Sequence, residues 1–208
     1  HRYYNEVYQI LLSTGMRIGE LTALQWDDID FENKEIHIRH SMQTAYLNGK
    51  KILNMTTPKT SNSIRDIPMF DGVENLFVSW KEKQDKAKKE LGRRWRLPKE
   101  FENLVFTSSL GSPLTRYVLS NDINKIVSIL NKNEEYLAEQ ENRKPQKFPK
   151  LHPHSFRHTF ATRCFEKNLK PVFIMSIMGH SNYETTLSYT HLLKKSNDQQ
   201  VSLAGSFV

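Results

Sequence analysis

The segment HPHSFRHTFATR groups three side chains that could bind an anion. Pro153 predicts the first position of a helix, and His154, Arg157 and His158 then share one side of it. A guanidinium and two imidazoles at a helix N-terminus, where backbone N–H groups already favour negative charge, are typical of an anion site. The alternative is a solvated face of a basic protein. A zinc site is less favoured, because neither a cysteine nor a carboxylate lies nearby as a third ligand.

The segment MGHSNYETTLSYTHL supplies a histidine in a tight turn and a tyrosine further along. Gly179 is predicted to end one helix in a left-handed cap, and Ser181 with Glu184 predicts a capping box that starts the next helix. His180 therefore lies between two helices, where a fixed polar contact is favoured. Tyr189 follows nine residues later, and taken singly it is better explained by a core or interface position.

Two further cations stand where they could reach a bound anion. Arg17 opens a predicted helix directly after the Gly15 turn, in TGMRIGELTALQW, and Glu20 follows one turn on. Lys59 falls in a Thr-, Pro- and Ser-rich turn between two predicted strands, in TTPKTSNSIRDIPM. The alternative for the first is a surface Arg–Glu pair worth well under about 1 kcal/mol, and for the second an exposed hairpin lysine.

In order and spacing, these pieces resemble the catalytic domain of the tyrosine recombinase (phage integrase) family. The matching residues are Arg17, Lys59, His154, Arg157, His180 and Tyr189. The flanking TGMRIGEL, HSFRHTFAT and MGHSNYETTLSYTH are also similar, and the resemblance covers about residues 4 to 193. Within the family, the chain is most similar to integrases of conjugative transposons and temperate phages of Gram-positive bacteria.

The resemblance implies a site-specific DNA recombinase that uses no metal, cofactor or ATP. Tyr189 would attack a backbone phosphate, forming a 3′-phosphotyrosyl link and releasing a 5′-hydroxyl. In-line attack builds charge on the two non-bridging oxygens, and Arg17 and Arg157 can neutralise it with bidentate donors. His180 is a further donor to the phosphate. Preorganised donors of this sort contribute on the order of 3–4 kcal/mol each in comparable sites.

Two proton transfers need their own residues. The tyrosine has an ordinary pKa near 10, and the resemblance implies that His154 assists its deprotonation. His154 also suits a purely phosphate-binding role, so both roles stay open. Lys59 is implied to protonate the departing 5′-oxygen, with Lys50 and Lys51 as rivals. His158 is expected to have a structural role.

The resemblance also implies the partners and the wider organisation. The expected partner is double-stranded DNA carrying recombination sites, bound by a homotetramer whose subunits are monomers in solution. An excision factor or a DNA-bending protein would be a further partner, and the location is the bacterial cytoplasm, at the nucleoid. Residues 1–195 are expected to form the catalytic domain and residues 196–208 a tail exchanged between protomers. A core-binding domain is expected before His1, so the chain is interpreted as part of a longer protein.

Three other functions stay open from the sequence. A type IB topoisomerase resembles this family in its fold and in its Tyr, Arg, Lys and His set, but the spacing from His180 to Tyr189 favours the recombinase. A catalytically inactive DNA-binding module would be expected to have lost at least one of the six residues. The third alternative is a metal-dependent nuclease.

Composition agrees with a polyanionic partner. The 208 residues include 30 Lys and Arg against 23 Asp and Glu, a net charge of +7. The segment 81–99 alone holds nine basic and three acidic residues, and it is predicted to contact phosphates, with a solvated helix face as the alternative.

Apolar runs are far shorter than the roughly 20 residues that span a bilayer. The single cysteine, Cys164, excludes an internal disulfide.

The elements that must position these residues follow from hydrophobic periodicity. We expect a mostly α-helical α+β fold with a small antiparallel three-stranded sheet near the N-terminal third. Strands are indicated around Ile36 and Ile67, Asn48-Gly49 predicts a hairpin turn, and Leu104–Phe106 is a further strand candidate. Helices are predicted from about Tyr4 to Gly15, and over Arg17–Leu24, Gly72–Leu91, Thr115–Leu130, Pro153–Phe165, Pro171–Met178 and Tyr183–Leu193.

Overall fold

A computed structural model describes residues 3–57 and 63–188 of the chain. Helices dominate these ranges, as the sequence predicts, and the α+β fold with its small antiparallel sheet is confirmed. Lys59, Tyr189 and the tail 196–208 lie outside the described residues. The helices are α1 (Asn5–Thr14), α2 (Ile18–Ala23), α3 (Val73–Leu91), α4 (Arg116–Gln140), α5 (Pro153–Glu166), α6 (Pro171–Met178) and α7 (Tyr183–Leu187).

Five short strands form two separate sheets. The predicted three-stranded antiparallel sheet has the order β1-β2-β5, and the other two strands form a two-stranded antiparallel hairpin of their own. The hairpin turn is Asn48-Gly49, with φ of 51° and 74°, which matches the type I′ geometry predicted from this pair. The strands are β1 (Ile29–Asp30), β2 (Glu35–Ile38), β3 (Ser41–Leu47), β4 (Lys50–Thr56) and β5 (Arg65–Pro68).

One continuous hydrophobic core joins the helices to the three-stranded sheet. Helix α1 packs against α3 and α5, and α6 packs against β5. Alternation in β2 directs Ile36 and Ile38 into this core, and Phe77 and Trp80 enter it from one face of α3. The core therefore fixes the relative positions of α1, α5, α6 and β5.

Two predicted elements differ in the structure. Helix α4 continues to Gln140, ten residues beyond the predicted end at Leu130, into the polar stretch 131–150 for which the sequence indicates a partly helical connection. The second half of α4 is polar and mostly exposed. An ion pair between Glu134 and Arg143 links it to the segment that follows. Leu104–Phe106 is buried, but it forms a single bridge, between Leu104 and Gln25, rather than a strand of a ladder.

The start of α7 also differs from the predicted capping box. The side chain of Asn182, not that of Ser181, accepts a hydrogen bond from the backbone N–H of Glu184 at 2.8 Å. Asparagine is as good an N-cap as serine, so the cap moves by one residue without changing where the helix begins.

No helix within the described ranges is both long enough and apolar enough to cross a lipid bilayer.

The turn between α1 and α2 holds the first predicted arginine close to α5. Gly15 caps α1 with φ of 63°, and its N–H bonds to Leu11 O at 3.1 Å. A Cβ at this position would meet the Phe160 ring of α5 at 2.2 Å. Only glycine permits both the left-handed backbone and this close approach.

We expect Gly15→Ala to destabilise the fold by about 2–5 kcal/mol, because it combines a left-handed backbone penalty with overpacking against Phe160. Gly72→Ala is the matched control, since Gly72 also has a positive φ, 85°, but no atom lies within 4 Å of the place that its Cβ would occupy. The control should lose only about 1–2 kcal/mol. Urea unfolding of both variants measures the difference, and equal losses would contradict the packing at Gly15.

Candidate active site

Four of the six predicted site residues lie in the described ranges, and the structure brings them together. Arg17 follows the α1–α2 turn, His154 and Arg157 lie in the first half of α5, and His180 follows α6. Arg17 and Arg157 donate to the carbonyls of Gly179 and Met178, the two residues before His180, and His154 lines the same cleft as Arg17. Lys59 and Tyr189 are outside the described residues, so their places in the site stay predictions.

The site is built around the C-terminal end of α6. Gly179 has φ of 62°, as predicted, and the N–H groups of Gly179 and His180 bond back to Ser176 O and Met175 O, each at 3.2 Å. These two bonds are those of a Schellman motif. The last carbonyls of a helix have no partner within it, and here Ile177, Met178 and Gly179 present theirs outward.

Three arginines from three different elements bind these three consecutive carbonyls. Arg17 donates to Gly179 O at 2.9 Å, Arg157 donates to Met178 O, and Arg65 of β5 donates to Ile177 O. Arg157 also donates to Gly15 O at 2.7 Å, which ties the end of α1 to the end of α6. Cations at a helix C-terminus are favoured by the helix dipole as well as by these hydrogen bonds.

Glu20 holds two of these arginines in place. Its carboxylate accepts from the Arg17 guanidinium at 2.8 Å and backbone N–H at 2.7 Å, and from both terminal nitrogens of Arg65 at 3.0 and 2.9 Å. Glu20 is only 3% exposed. Burial raises the pKa of Glu20, but the bonds and charge of Arg65, followed by those of Arg17, outweigh it and hold the pKa below its ordinary value. The surface-pair alternative for Arg17 and Glu20 is therefore wrong.

The arrangement leaves positive charge unbalanced. Three guanidiniums carry +3, Glu20 carries −1, and the helix end contributes roughly −0.5, so about +1.5 remains. Partial burial lowers the effective dielectric constant and strengthens the attraction for an anion. This surplus makes the end of α6 a candidate phosphate site.

Arg157 is not on the solvated face that the sequence indicated. It is 2% exposed and lies beneath the site, whereas the Arg17 side chain is 37% exposed and lies at its rim. Phe160 and Cys164 of the same helix are buried as predicted. Arg157 can be buried because backbone carbonyls of two helix ends satisfy its guanidinium.

His180 is buried and held by a neighbour on α7. Its Nδ1 lies 2.9 Å from Thr186 Oγ1. Burial, followed by the charges of Arg157, Arg17 and Arg65, lowers the pKa of His180 to about 4. The imidazole is therefore neutral at pH 7, and it acts as a hydrogen-bonding group rather than as a cation.

His154 stands at the wall of a cleft of about 560 Å³, together with Arg17 and Arg116. Burial, then the charges of His158 and Arg157, lower the pKa of His154, which favours its neutral form. The His158 ring contacts the His154 ring edge-on at 5.1 Å between centroids. His158 itself is exposed, so its structural role consists of this contact with His154 rather than of packing in the core.

Lys50 and Lys51, the two alternatives to Lys59 as the proton donor, lie at the turn end of the β3–β4 hairpin. Lys50 is exposed at the start of β4, next to the Asn48-Gly49 turn, and Lys51 follows it. The side chain of Lys51 is outside the described part of the chain. Lys59 itself lies between the end of β4 at Thr56 and the start of β5 at Arg65, so it is six residues from an arginine of the site.

Nothing in the sequence singled out Arg65 for a function, and Thr186 was predicted only as a residue of a helix. Arg65 is 7% exposed in its side chain, and it donates to a carbonyl 112 residues away. One signal could have found it: Arg65 and Ile67 are two residues apart in a strand and share its inner face, and an arginine on that face needs a buried partner.

One cluster of metal-ligating types lies elsewhere. Within the described residues, Glu35, His37 and Asp66 come within ligand distance of one another on β2 and β5. Asp66 is already bonded to His37 at 2.7 Å and to Arg39. A cation would have to compete with Arg39 for this carboxylate.

The basic segment 81–99 forms the second half of α3 and the turns that follow it. Three of its lysines have partners within the protein, since Lys83 bonds to Glu6, Lys81 lies over the Trp26 ring at 5.0 Å, and Lys86 forms an exposed ion pair with Glu90 at 4.0 Å. Most of the other basic residues are exposed, so both the phosphate-contacting surface and the solvated face stay open as interpretations.

Comparison with protein families gives one match over nearly the whole chain. The model of the phage integrase family matches residues 2–196. This range contains all six of the predicted site residues.

Two relatives illustrate the kind of protein that the chain resembles. It is 29% identical over 201 residues to a tyrosine recombinase XerC-like protein of Caldanaerobacter subterraneus, and it is 31% identical over 188 residues to the transposase from transposon Tn916 of Enterococcus faecalis. These matches cover 94% and 89% of this chain, but 47% and 41% of the relatives. The chain thus spans less than half the length of either relative.

A solved structure is similar in fold. The Tn1549 transposon integrase, in complex with transposon right end DNA, superimposes with a TM-score of 0.72 at 29% sequence identity. The match covers 89% of this chain and 53% of that one.

We expect Arg65→Lys to destabilise the protein by about 2–4 kcal/mol, because a lysine cannot bind Ile177 O and both Glu20 oxygens at once. Arg39→Lys is the matched control, since Arg39 binds the half-exposed Asp66 and should lose no more than about 1 kcal/mol. Urea unfolding measures both. An Arg65→Lys variant as stable as the control would contradict the role of Arg65 in holding the end of α6.

We expect His180 to titrate with a midpoint near 4, where its pKa lies, rather than near its ordinary value of 6.5. Because the folded pKa is depressed, the unfolded chain binds more protons between these two values. The contribution of His180 to stability is therefore complete above about pH 6.5 and is lost as the pH falls towards 4. NMR titration of the ring C–H resonances measures the midpoint, and a value near 6.5 would contradict the buried, arginine-flanked setting.

Proposed function

Because the chain belongs to the phage integrase family, we propose that it is the catalytic part of a site-specific DNA recombinase of a mobile genetic element. The observation that carries this proposal is the convergence of Arg17, Arg157 and His180 on the end of α6, with a surplus of positive charge. The names of the relatives, recombinase and transposase, support the same function.

The proposed substrate is double-stranded DNA at the ends of the element. The Tn1549 transposon integrase, which resembles this chain in fold, is bound to transposon DNA in its solved structure. The net charge of +7 favours a polyanion, and the exposed basic residues of segment 81–99 would add contacts to phosphates outside the site.

In the proposed reaction, the phenolate of Tyr189 attacks a phosphodiester in line. A new P–O bond to the tyrosine forms as the P–O5′ bond breaks, giving a 3′-phosphotyrosyl link and a 5′-hydroxyl. Arg17 would bind a non-bridging oxygen from the rim and Arg157 from the buried side, while His180 donates a hydrogen bond. Rejoining to another 5′-hydroxyl reverses these steps without an external energy source.

The setting of His154 favours one of the two roles left open for it. A lowered pKa keeps the imidazole neutral, and a neutral imidazole can accept the proton of Tyr189. Lys59 is proposed to give a proton to the departing 5′-oxygen. Lys59 precedes Arg65 by six residues in the sequence, which supports a place near the site.

No metal is needed in this proposal, because guanidinium groups supply the charge that a divalent cation would otherwise supply. The single carboxylate that we find among the arginines of the described site, Glu20, already accepts four hydrogen bonds from Arg17 and Arg65. It is therefore poorly placed to act as a metal ligand.

The assembly of the whole protein is also a proposal. We infer a homotetramer on DNA formed from monomers in solution, with the tail 196–208 docking on a neighbouring protomer. An excision factor or a DNA-bending protein would assist, and a core-binding domain before His1 would add affinity and specificity to the catalytic domain 1–195. The reaction would take place on nucleoid DNA in the bacterial cytoplasm.

The first test uses a nicked suicide duplex that carries the ends of the element, incubated with the chain in excess EDTA. We expect a protein–DNA band that survives SDS with the wild type and with Tyr183→Phe, and none with Tyr189→Phe. Tyr183 is the matched control, because it is an exposed tyrosine of α7, a short distance before Tyr189 in the sequence. A band that requires added Mg²⁺ would support the nuclease instead, and no band on DNA that the chain binds would contradict catalysis.

Joint products formed between two different duplexes then distinguish the recombinase from a topoisomerase. Relaxation of supercoiled DNA without joint products would contradict the proposed function. The relatives named as recombinases and transposases lead us to expect joint products.

A further inference from the structure

The hydrogen bond between His180 and Thr186 closes the turn between α6 and α7. The Nδ1 to Oγ1 distance is 2.9 Å, Thr186 is 0% exposed, and His180 is 7% exposed. A bond buried in this way does not exchange freely with water. It therefore fixes both the orientation of the imidazole and the hydrogen-bonding role of Nδ1.

Thr186 differs from the other helical threonines whose bonds the structure describes. Four of them donate to the backbone carbonyl four residues earlier, at 2.7 to 3.0 Å, which is the common pattern within helices. They are Thr14, Thr22, Thr159 and Thr162. Among the described residues, the Thr186 hydroxyl is instead hydrogen-bonded to His180 Nδ1.

This difference indicates which atom carries the proton. A buried hydroxyl needs an acceptor for its hydrogen bond, and the atom that Thr186 Oγ1 faces among the described residues is His180 Nδ1. If Nδ1 accepts, the single proton of a neutral imidazole is on Nε2. Burial, followed by the positive charges of Arg157, Arg17 and Arg65, lowers the pKa of His180 to about 4 and keeps it from taking a second proton at neutral pH.

We propose that Thr186 is a positioning residue that holds His180 in its Nε2–H tautomer, so that the imidazole donates to a non-bridging oxygen of the bound phosphate. This inference rests on the proposed function of the site. A neutral histidine attracts an anion only through its N–H. In the other tautomer, Nε2 presents a lone pair to the phosphate oxygen, and the donor becomes a repulsive group.

The position of Thr186 gives the bond a second consequence. Thr186 is three residues before Tyr189 in the sequence, and α7 ends at Leu187 within the described residues. The same hydroxyl therefore belongs to the segment that leads to the proposed nucleophile. A loss of the hydroxyl could therefore act through His180 or through Tyr189, and the two effects are separable by experiment.

The direct test is the tautomer itself, which does not depend on DNA or on activity. In the chain labelled with 15N-histidine at pH 7, we expect His180 to show a protonated Nε2 and an unprotonated Nδ1. Thr186→Val, which has the same shape without the hydroxyl, should give a mixture of tautomers, and Thr186→Ser should restore the wild-type pattern. A wild-type His180 protonated on Nδ1 would overturn the proposal.

The kinetic test uses single-turnover formation of the covalent complex on the nicked duplex. We expect Thr186→Val to slow this step by roughly tenfold with unchanged DNA affinity, because the rate depends on one oriented hydrogen bond. Thr186→Ser should recover most of the rate. Thr185→Val is the matched control, because Thr185 is exposed on the same helix and should be neutral.

A double variant shows whether Thr186 acts through His180. In a His180→Phe background, Thr186→Val should cause no additional loss of rate. An equal tenfold loss in that background would overturn the proposal and assign the effect to the α7 helix and Tyr189. If the wild type forms no covalent complex at all, the proposed function fails, while the 15N spectra still decide the tautomer.

Discussion

The C-terminal end of α6 is the point on which the rest of the site depends. Its last carbonyls have no hydrogen-bond partners within the helix. Three arginines, from α5, β5 and the α1–α2 turn, donate to these carbonyls. Segments that are more than a hundred residues apart in sequence therefore meet at one helix end. Backbone carbonyls cannot titrate or change rotamer, so the guanidiniums are held by rigid groups. A site that must bind a phosphate in one geometry benefits from this preorganisation.

This arrangement also explains the electrostatics of the site. One buried carboxylate, Glu20, balances part of the arginine charge, and the remainder is available to an anion. Burial, together with the charges of Arg157 and Arg17, lowers the pKa of both His180 and His154 and favours their neutral forms. The histidines can thus serve as a hydrogen-bond donor and a proton acceptor, while the arginines carry the charge. Neither role could be assigned from residue types alone, because an imidazole has an ordinary pKa close to neutral.

Local signals predicted much of the fold. The left-handed caps at Gly15 and Gly179, the Asn48-Gly49 turn and the helix start at Pro153 all follow from the conformational preferences of single residues. Long-range features could not be predicted in this way. The polar second half of α4 carries little periodicity, and the burial of Arg157 depends on carbonyls of two other helices, at Gly15 and Met178.

In the candidate site, too, some residues could be predicted from the sequence and others depend on long-range contacts. Arg17, His154, Arg157 and His180 were identified by their order and spacing, and the structure brings them together. Arg65 and Thr186 were missed, because their importance depends on which atoms they face after folding. The proposed phosphate site can be tested by a crystal structure of the chain with a nicked duplex. We expect a DNA phosphate bound by Arg17, Arg157 and His180 Nε2, with all three arginine bonds to the end of α6 retained. A phosphate bound elsewhere, or arginines that leave the α6 carbonyls to reach it, would contradict this arrangement.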